Sequence, residues 1–436
     1  MARRAANEPL KVYLNSRLVG TLSREASGAT YFQYNPSWLE WDNGFAISLS
    51  LPLREERYAG APVTAVFDNL LPDNDAIRRR LAERTGAEGA DAYSLLAAIG
   101  RDCVGALQFL PAGEEPWPAG LVKAEPIANA AIARKLAALE RAPLGIDTAE
   151  DFRISIAGVQ GKTALLYYNG AWHIPHGATP TTHILKPQIG MLGGHDLSQS
   201  VENEHFCMQL LAAMGLPVAE TAIENFNGQR VLVITRFDRR WTQDNRLLRL
   251  PQEDCCQALS VPPTLKYEAD GGPGMVEILE LLKGADRPRT DQETFLQAQI
   301  AFWLLAATDG HAKNFSIALY PGGGFELTPL YDVISAQPLF AARELRKEDL
   351  RLAMAVGDNR HYRIHEVMPR HFVQTAARAG LPPHAVERLI SEMIETVPGA
   401  ITQVTENLPA DFPTAVSGPI IQGLRRRLKR LAVAPA

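Results

Sequence analysis

The residue types best suited to chemistry stand in one short segment, where an aspartate is followed five positions later by an asparagine. Protein kinases use this spacing. The aspartate, here Asp309, accepts or orients the proton of the acceptor hydroxyl, and the asparagine, here Asn314, offers an oxygen to Mg²⁺. A second aspartate, Asp332, follows a predicted hairpin that returns it beside the first pair, where it can bind metal and bridge phosphates. The pattern therefore predicts phosphoryl transfer from ATP to a hydroxyl group, with Mg²⁺ as the metal.

Two other interpretations of this segment have to be weighed. His311 could ligate zinc, but no second histidine or cysteine stands at ligand spacing from it, and oxygen ligands without cysteine favour magnesium. The segment could also be rich in Asp, Gly and Asn only because it turns. Features upstream in the chain, in the order that a kinase requires, argue against a simple turn.

The first of these features is the segment from Gly158 to Thr163, in which Gly161 precedes Lys162. A Walker A loop would need its first glycine at Ile156, so the segment is too short for a P-loop. Predicted strands on both sides favour a kinase-type glycine loop, which covers the triphosphate. Two glycines alone are equally compatible with an ordinary β-turn.

The second feature is Lys186, which lies two predicted strands further on, inside an apolar stretch. A lysine is costly there unless its charge is paired, and phosphate oxygens together with a helix glutamate would pair it. Glu202 and Glu204 begin the next predicted helix, and at about 100° per residue only one of them can face the sheet. Glu204 is the possible ion-pair partner. The alternative is a lysine whose charged end reaches solvent at a strand edge.

The elements that must position these residues divide the chain into a β-rich N-terminal domain, 1–146, and a second domain, 147–436. The first opens with a hairpin (Lys11–Leu14 and Arg17–Leu22), and the second has a mostly β lobe, 147–250, before a mostly α lobe, 251–436. The predicted fold class is α+β, a bilobal protein-kinase-like domain preceded by a small β-rich α+β domain. Three further predictions concern single elements: strands over Ala46–Leu51 and Phe152–Ile156, and a helix over Gln252–Leu259. The arginines at 78–80 are expected on a solvated helix face.

At these residues the chain resembles the HipA-type serine/threonine kinases, the toxins of bacterial toxin–antitoxin pairs. The resemblance runs nearly end to end and is carried by six segments: Phe152–Leu166, Thr179–Lys186, Arg236–Trp241, Lys266–Gly274, Thr308–Asn314 and Leu330–Ser335. It implies a fold on the phosphoinositide-kinase-like branch, with an N-terminal domain that docks the antitoxin. It also implies that Ser155 is autophosphorylated, which ejects the glycine loop and silences the enzyme.

The same resemblance assigns roles to individual residues. Asp309 is catalytic, Asn314 and Asp332 are the metal ligands, and Lys186 is the phosphate lysine. The ATP-binding set implied by the resemblance is Ala157, Gly158, Val159, Gln160, Gly161, Lys162, Lys186, Thr235, Arg236, Phe237, His311, Ala312, Lys313, Asn314, Tyr331 and Asp332, with 235–237 as the adenine hinge. Two positions depart from the family pattern, because Gly161 and Thr235 stand where relatives often carry acidic residues. Since loop and hinge contact nucleotide largely through backbone, these departures bear on ATP affinity rather than on the reaction.

Composition limits the partners. The 436 residues have a formal net charge of −5, so unaided DNA binding is not the expected main activity. The resemblance implies a small helix-turn-helix antitoxin that reads operator DNA, with phosphate contacts from this chain, Arg378 being one candidate. Its implied protein target is a translation component, typically an aminoacyl-tRNA synthetase. Sparse cysteines, no secretory signal and no membrane-length apolar run predict a cytoplasmic protein with no membrane partner. The resemblance implies a bacterial one.

Two competing functions remain open from the sequence alone. A kinase fold that has lost activity could serve only as a corepressor subunit, although Lys186, Asp309, Asn314 and Asp332 are all intact. A small-molecule or lipid kinase would use the same active residues, so the constellation does not exclude it, and only the resemblance favours a protein substrate.

Overall fold

The computed structural model describes residues 8–146, 154–158 and 160–433. The chain forms two compact units. The first contains Met1–Pro187, Glu224–Thr264 and Ile317–Gly324, and the second contains Gln188–Ile223, Leu265–Ser316 and Phe325–Ala436. The proposed domain boundary at residue 146 therefore lies inside the first compact unit.

The N-terminal region is built on a five-stranded antiparallel sheet. Its strands are β1 (Leu10–Leu14), β2 (Arg17–Arg24), β3 (Thr30–Tyr34), β4 (Tyr58–Ala59) and β5 (Leu107–Pro111), in the order β4-β3-β2-β1-β5. Its helices are α1 (Pro36–Leu39), α2 (Ala61–Asp68), α3 (Asp75–Thr85) and α4 (Ala92–Ile99). The predicted hairpin is confirmed: Asn15 and Ser16 both take positive φ, 45° and 70°, as a two-residue turn that matches strand twist requires.

A six-stranded sheet forms the second part of the first unit, in the order β12-β13-β9-β7-β8-β6. Its strands are β6 (Ala124–Pro126), β7 (Thr163–Tyr168), β8 (Ala171–Pro175), β9 (His183–Pro187), β12 (Thr221–Phe226) and β13 (Gln229–Thr235). Helix α5 (Asn129–Ala137) covers one face, where its Ile132 and Leu136 join Leu165, Trp172 and Leu185 in a buried apolar cluster. Smaller elements of this unit are β14 (Arg239–Trp241), β15 (Leu247–Arg249), β16 (Gln252–Asp254), α7 (Cys255–Ala258) and most of β17 (Ser316–Leu319).

The second unit is mostly helical. Its helices are α6 (Ser200–Ala213), α8 (Met275–Leu281), α9 (Pro288–Leu305), α10 (Gln337–Ala341), α11 (Pro369–Arg378), α12 (Pro383–Glu406) and α13 (Thr414–Leu431). Its short strands are β10 (Gly190–Leu192), β11 (His195–Leu197), β18 (Phe325–Leu327), β19 (Arg351–Val356) and β20 (His361–Arg363). Across the described ranges, no helix has the length and apolar character needed to cross a membrane.

Three of the element predictions are wrong where the structure describes them. Residues 46–51 form turns, because the Ile47 amide donates to the Tyr34 hydroxyl at 3.0 Å and the Leu49 amide to Glu253 at 2.8 Å, so these donors are unavailable to a strand. Residues 154–156 are not in a strand, and 151–153 lie outside the described residues. The helix predicted over 252–259 is strand β16 followed by the four-residue α7, which begins at the N-cap Asp254.

Several arginines are turned inward, among them Arg78, which was expected on a solvated helix face. Arg78 is buried, and its Nη1 lies 2.6 Å from Asp68. On α13, buried Arg427 donates to the Leu304 carbonyl at 2.8 Å, and half-buried Arg430 donates to the His365 carbonyl at 2.6 Å. The apolar stems of these side chains pack while their donors find carbonyl or carboxylate acceptors.

Candidate active site

The catalytic loop, residues 307–315, begins where α9 ends. Ala306 terminates the helix in the left-handed conformation, with φ 56°, and the Ala307 amide donates back to the Phe302 carbonyl at 2.9 Å. Gly310 lies against Phe302 so closely that a Cβ would come 2.5 Å from the ring, which requires glycine there. Helix termination and this close contact fix the course of the loop.

Asp309 is held by its surroundings while its side chain stays 54% exposed. Its Oδ1 accepts a hydrogen bond from the Tyr267 hydroxyl at 2.5 Å. Its backbone carbonyl accepts from the Asn314 side-chain amide at 2.7 Å. The carboxylate is therefore both oriented and accessible, as a group that receives a proton from an acceptor hydroxyl must be.

His311 lies beside this aspartate and is buried, with its Nε2 4.0 Å from Asp309 Oδ1. Burial lowers the pKa of His311, and the nearby carboxylates of Asp309 and Asp332 oppose that shift. The imidazole is thus neutral near pH 7. Its ring packs edge-on against Tyr267 with centroids 4.9 Å apart, so it supports the loop.

Asp332 is half-buried and has φ 61°, a conformation that costs a non-glycine residue on the order of 1 kcal/mol and is common at functional sites. The preceding residue, Tyr331, fixes this segment because its hydroxyl donates to the Lys313 carbonyl at 2.9 Å and bonds Ser316 Oγ at 2.6 Å. The side chains of Lys313 and Ala312 are buried.

The donor set in this loop fits magnesium. Because the Asn314 amide nitrogen is used on Asp309, its Oδ1 is the atom left for a cation, and Asp332 adds carboxylate oxygens. These are hard oxygen ligands, and Mg²⁺ takes few protein ligands and completes its shell with phosphate and water oxygens. Within the described ranges no three His, Cys, Asp or Glu side chains form a metal cluster, and such a cluster is not required for Mg²⁺ bound with a nucleotide.

The glycine loop of the first unit is held by the N-terminal region. Ser155 is fully buried, and its Oγ donates to the Leu70 carbonyl at 2.8 Å while its amide donates to the Asp102 carbonyl at 2.9 Å. Pro72 bridges to Gly158 in parallel, and the Asp73 amide lies 3.4 Å from the Gly158 carbonyl. Ser155 in this conformation has no room for a phosphate.

Within the loop, Lys162 closes the turn. Its Nζ donates to the Ala157 carbonyl at 2.5 Å, and a Cβ at Gly158 would meet the same Nζ at 2.5 Å. Gln160 reaches outward and donates to the Pro187 carbonyl at 3.1 Å. Gly161 is exposed and would accommodate a Cβ at ordinary contact distance from Leu139, so space does not demand glycine there. Val159 lies outside the described residues.

Lys186 and the glutamates of α6 are all buried. Lys186 lies on β9 opposite Leu232 of β13. In the second unit both Glu202 and Glu204 are buried, and which of the two faces the sheet stays a prediction. Glu202 accepts a hydrogen bond from Gln188 Nε2 at 2.7 Å. Because Glu202 has this local partner, both glutamate side chains can be buried.

The predicted hinge contains a feature that motif reasoning missed. Arg236 is fully buried, where it pairs with Asp238 at 2.7 Å and with Asp102 at 3.4 Å, and its amide donates to the Thr182 carbonyl at 2.9 Å. Arg239 and Arg249 also bind Asp102, at 2.8 and 3.0 Å. The side chain and the amide of Arg236 are thus already engaged and cannot bind adenine. A hinge role for residues 235–237 would rest on the Arg236 carbonyl and on the half-buried residues 235 and 237.

Burial and neighbouring charges shift the pKa values of Asp102 and of the arginines around it. Although burial alone would raise the pKa of Asp102, the guanidinium groups of Arg239, Arg249 and Arg236 hold it well below its usual range. Burial lowers the pKa of Arg239 to about 10. The only signal in the sequence was the density of Arg and Asp in 236–249, which does not reveal its partner at residue 102.

Comparisons with known proteins identify a protein kinase and specify its family. Residues 10–110 match the HipA N-terminal domain and residues 154–401 match the HipA-like C-terminal domain. The chain belongs to the HipA family of serine/threonine kinase toxins.

Individual relatives agree over most of their length. The chain is 35% identical over 402 residues to the protein named "Putative kinase Y4mE" of Sinorhizobium fredii, covering 91% of this chain and 92% of that protein. It is 28% identical over 416 residues to the serine/threonine-protein kinase toxin HipA of Shewanella oneidensis, covering 92% and 90%. A solved complex of Shewanella oneidensis HipA, HipB and operator DNA contains a chain that matches with a TM-score of 0.81 at 26% identity, covering 98% of this chain and 100% of that one. The α+β kinase-like fold predicted from sequence is confirmed.

Proposed function

We propose that this chain transfers the γ-phosphate of ATP to a serine or threonine of a protein, with Asp309 as the catalytic residue. The observation that carries the proposal is the state of the Asp309 carboxylate, which is oriented through Oδ1 by Tyr267 and is still more than half exposed. Such a group can take the proton of an acceptor hydroxyl as the oxygen attacks phosphorus.

The other roles follow from residue chemistry. Asn314 Oδ1 and the Asp332 carboxylate would hold Mg²⁺, which when bound neutralises charge on the phosphates. Lys186 and the loop 157–162 would bind the phosphates, and residues 235–237 would border the adenine. Residues 311–314 and 331 would complete the ATP-binding set. Glu204 is the candidate partner for Lys186.

The proposed substrate is a translation component of the bacterial cytoplasm, with an aminoacyl-tRNA synthetase as the first candidate. This choice rests on membership of the HipA family. A lipid or small-molecule kinase would use the same groups, so the acceptor has to be identified by experiment.

The test is a transfer assay with the purified full chain, radiolabelled ATP and Mg²⁺. Acceptors are a panel of purified aminoacyl-tRNA synthetases, casein, and a lipid and metabolite extract. We expect label on serine or threonine of a synthetase, lost on chelation of Mg²⁺ by EDTA. Label only on lipid or metabolite would overturn the protein substrate, and no transfer to any acceptor or to the chain itself would overturn the kinase activity.

We further propose autoregulation at Ser155 and corepression with a small helix-turn-helix antitoxin. Family membership and the operator complex of the Shewanella relative support the second role. Exposed cations on α11 and α13 suit phosphate contacts; they are Arg370, Arg378, Arg425, Arg426 and Lys429. Arg388, by contrast, is paired with Glu293 and Glu392 at 2.6 and 2.8 Å.

Operator binding should be measured over a salt series for the chain alone, the antitoxin alone and both together. With a net charge of −5, the chain alone should bind weakly and with little sequence preference, and it should strengthen the antitoxin complex. The variant Arg378→Ala should reduce the salt slope of that complex by about 1 if this residue contacts a phosphate. Tight, sequence-specific binding by the chain alone would contradict this division of roles.

A further inference from the structure

We infer that Tyr267 is a positioning residue for phosphoryl transfer, which fixes the carboxylate of Asp309 so that one oxygen faces the acceptor. The inference rests on the proposed function, since it requires Asp309 to be the catalytic residue. The Tyr267 hydroxyl donates to Asp309 Oδ1 at 2.5 Å.

The hydrogen bond from Tyr267 gives the two carboxylate oxygens of Asp309 different roles. Oδ1 is engaged by Tyr267, and in the part of the chain that the structure describes Oδ2 accepts no hydrogen bond from a protein group. Because the Asp309 carbonyl is also held by Asn314, neither the backbone nor the side chain of Asp309 turns freely. Oδ2 is therefore the oxygen left to accept the proton.

The turn that carries Tyr267, residues 265–274, is built for one conformation. Its carbonyl at Tyr267 accepts from the amides of Asp270 and Gly272 at 3.0 and 2.9 Å. A Cβ at Gly272 would lie 1.8 Å from the Leu265 carbonyl oxygen, and one at Gly274 would lie 2.5 Å from the Glu268 carboxyl carbon. Backbone atoms leave no room for a side chain at Gly272, and a side chain at Gly274 would have to displace the Glu268 carboxylate, so the turn is closely packed.

The same turn is attached on two sides. Glu268, next to Tyr267, accepts from the Ala355 amide of β19 at 2.5 Å and pairs with Arg360 at 3.1 Å. On the other side the Ala312 amide of the catalytic loop lies 3.3 Å from the Lys266 carbonyl. The turn thus connects β19 to the catalytic loop. These contacts hold the Tyr267 hydroxyl in position beside Asp309.

The test is Tyr267→Phe, which retains the ring that packs on His311 and removes only the hydroxyl. Charge-assisted hydrogen bonds are worth enough that kcat should fall about 10- to 100-fold, while the KM for ATP stays unchanged because nucleotide binding does not use this group. Transfer is measured to the acceptor that the wild-type chain labels best, or to the chain itself. The matched control is Tyr167→Phe on β7, whose ring packs on Trp172 and is 42% exposed; it should leave both constants at wild-type values.

A second measurement does not need activity. Denaturant unfolding of Tyr267→Phe, Asp309→Ala and the double variant should be non-additive, because both single changes remove the same hydrogen bond. Unchanged kcat in folded Tyr267→Phe would overturn the inference, as would strictly additive unfolding. If Asp309→Asn retains transfer activity, the proposed function fails instead, and a loss of ATP affinity in Tyr267→Phe equal to the loss in kcat would show a structural role only.

Discussion

The catalytic loop and the glycine loop are held in opposite ways. Asp309 lies on a loop supported by residues of its own compact unit, and its carboxylate is presented to solvent. Ser155 lies at the start of a loop whose polar groups are used by Leu70 and Asp102 of the N-terminal region, and its side chain is completely buried. The N-terminal region, a candidate docking domain, therefore also supports the glycine loop of the kinase.

Phosphorylation of Ser155 is expected to have the largest effect on the glycine loop. A phosphate carries roughly −1.5 to −2 charges at neutral pH, and the hydroxyl now donates to the buried Leu70 carbonyl, so the loop must leave its site. We expect mass spectrometry after incubation with Mg²⁺-ATP to find phosphate on Ser155, and the modified fraction to lose turnover by at least about 100-fold.

The matched control for this prediction is Ser155→Ala, which loses the Leu70 hydrogen bond without adding charge. It should stay active and should not accumulate phosphate in the loop. An unmodified Ser155 after prolonged incubation, or full turnover by the phosphorylated chain, would show that self-silencing is wrong for this protein.

A second test removes the carboxylate that joins the N-terminal region to the predicted hinge. Asp102→Ala leaves three buried guanidinium groups without their shared partner, and breaking a buried pair costs about 3–5 kcal/mol. Urea unfolding should show this loss in the free energy of unfolding. The control Asp244→Ala removes an exposed partner of Arg246 and should leave the urea midpoint unchanged; equal effects of the two variants would contradict a supporting role for Asp102.

A smaller effect is expected at Glu253, a second link between the N-terminal region and the rest of the first unit. Its Oε1 accepts from the Leu49 amide at 2.8 Å, and burial raises its pKa to about 8 from 4.5. The folded state therefore binds a proton that the unfolded state has released between these two pH values, so stability falls as pH rises through this window. The loss should be about 1.4 kcal/mol for each pH unit across this window.

The variant Glu253→Gln keeps the acceptor for Leu49 and cannot ionise. Its free energy of unfolding should lose this part of the pH dependence and should exceed the wild-type value at pH 8 and above. Parallel stability curves for the two proteins from pH 5 to pH 9 would rule out a buried, protonated Glu253.

Sequence reasoning succeeded where function depends on local spacing. The Asp309–Asn314 interval and the Asn15-Ser16 turn are each encoded within a few residues, and the structure has both elements in place. The catalytic roles themselves remain predictions.

Sequence reasoning failed where a residue's partner is distant in the chain. The pairing of Arg236 with Asp102, which lies 134 positions away, was not predicted, nor was the contact of Ser155 with Leu70, which lies 85 positions away. Tyr267 contacts Asp309 across 42 positions, so no periodicity or motif signal links them. The strand prediction for residues 46–51 is wrong for the same reason, since side chains from distant parts of the sequence accept hydrogen bonds from the backbone amides.

The most direct test of the central claim compares wild-type chain with Asp309→Asn in the radiolabelled transfer assay, with ATP affinity and unfolding measured on the same samples. We expect transfer to fall about 10²- to 10⁴-fold, while ATP binding and the unfolding midpoint stay close to wild type. Substantial transfer by a folded Asp309→Asn protein would contradict the assignment of Asp309 as the catalytic residue.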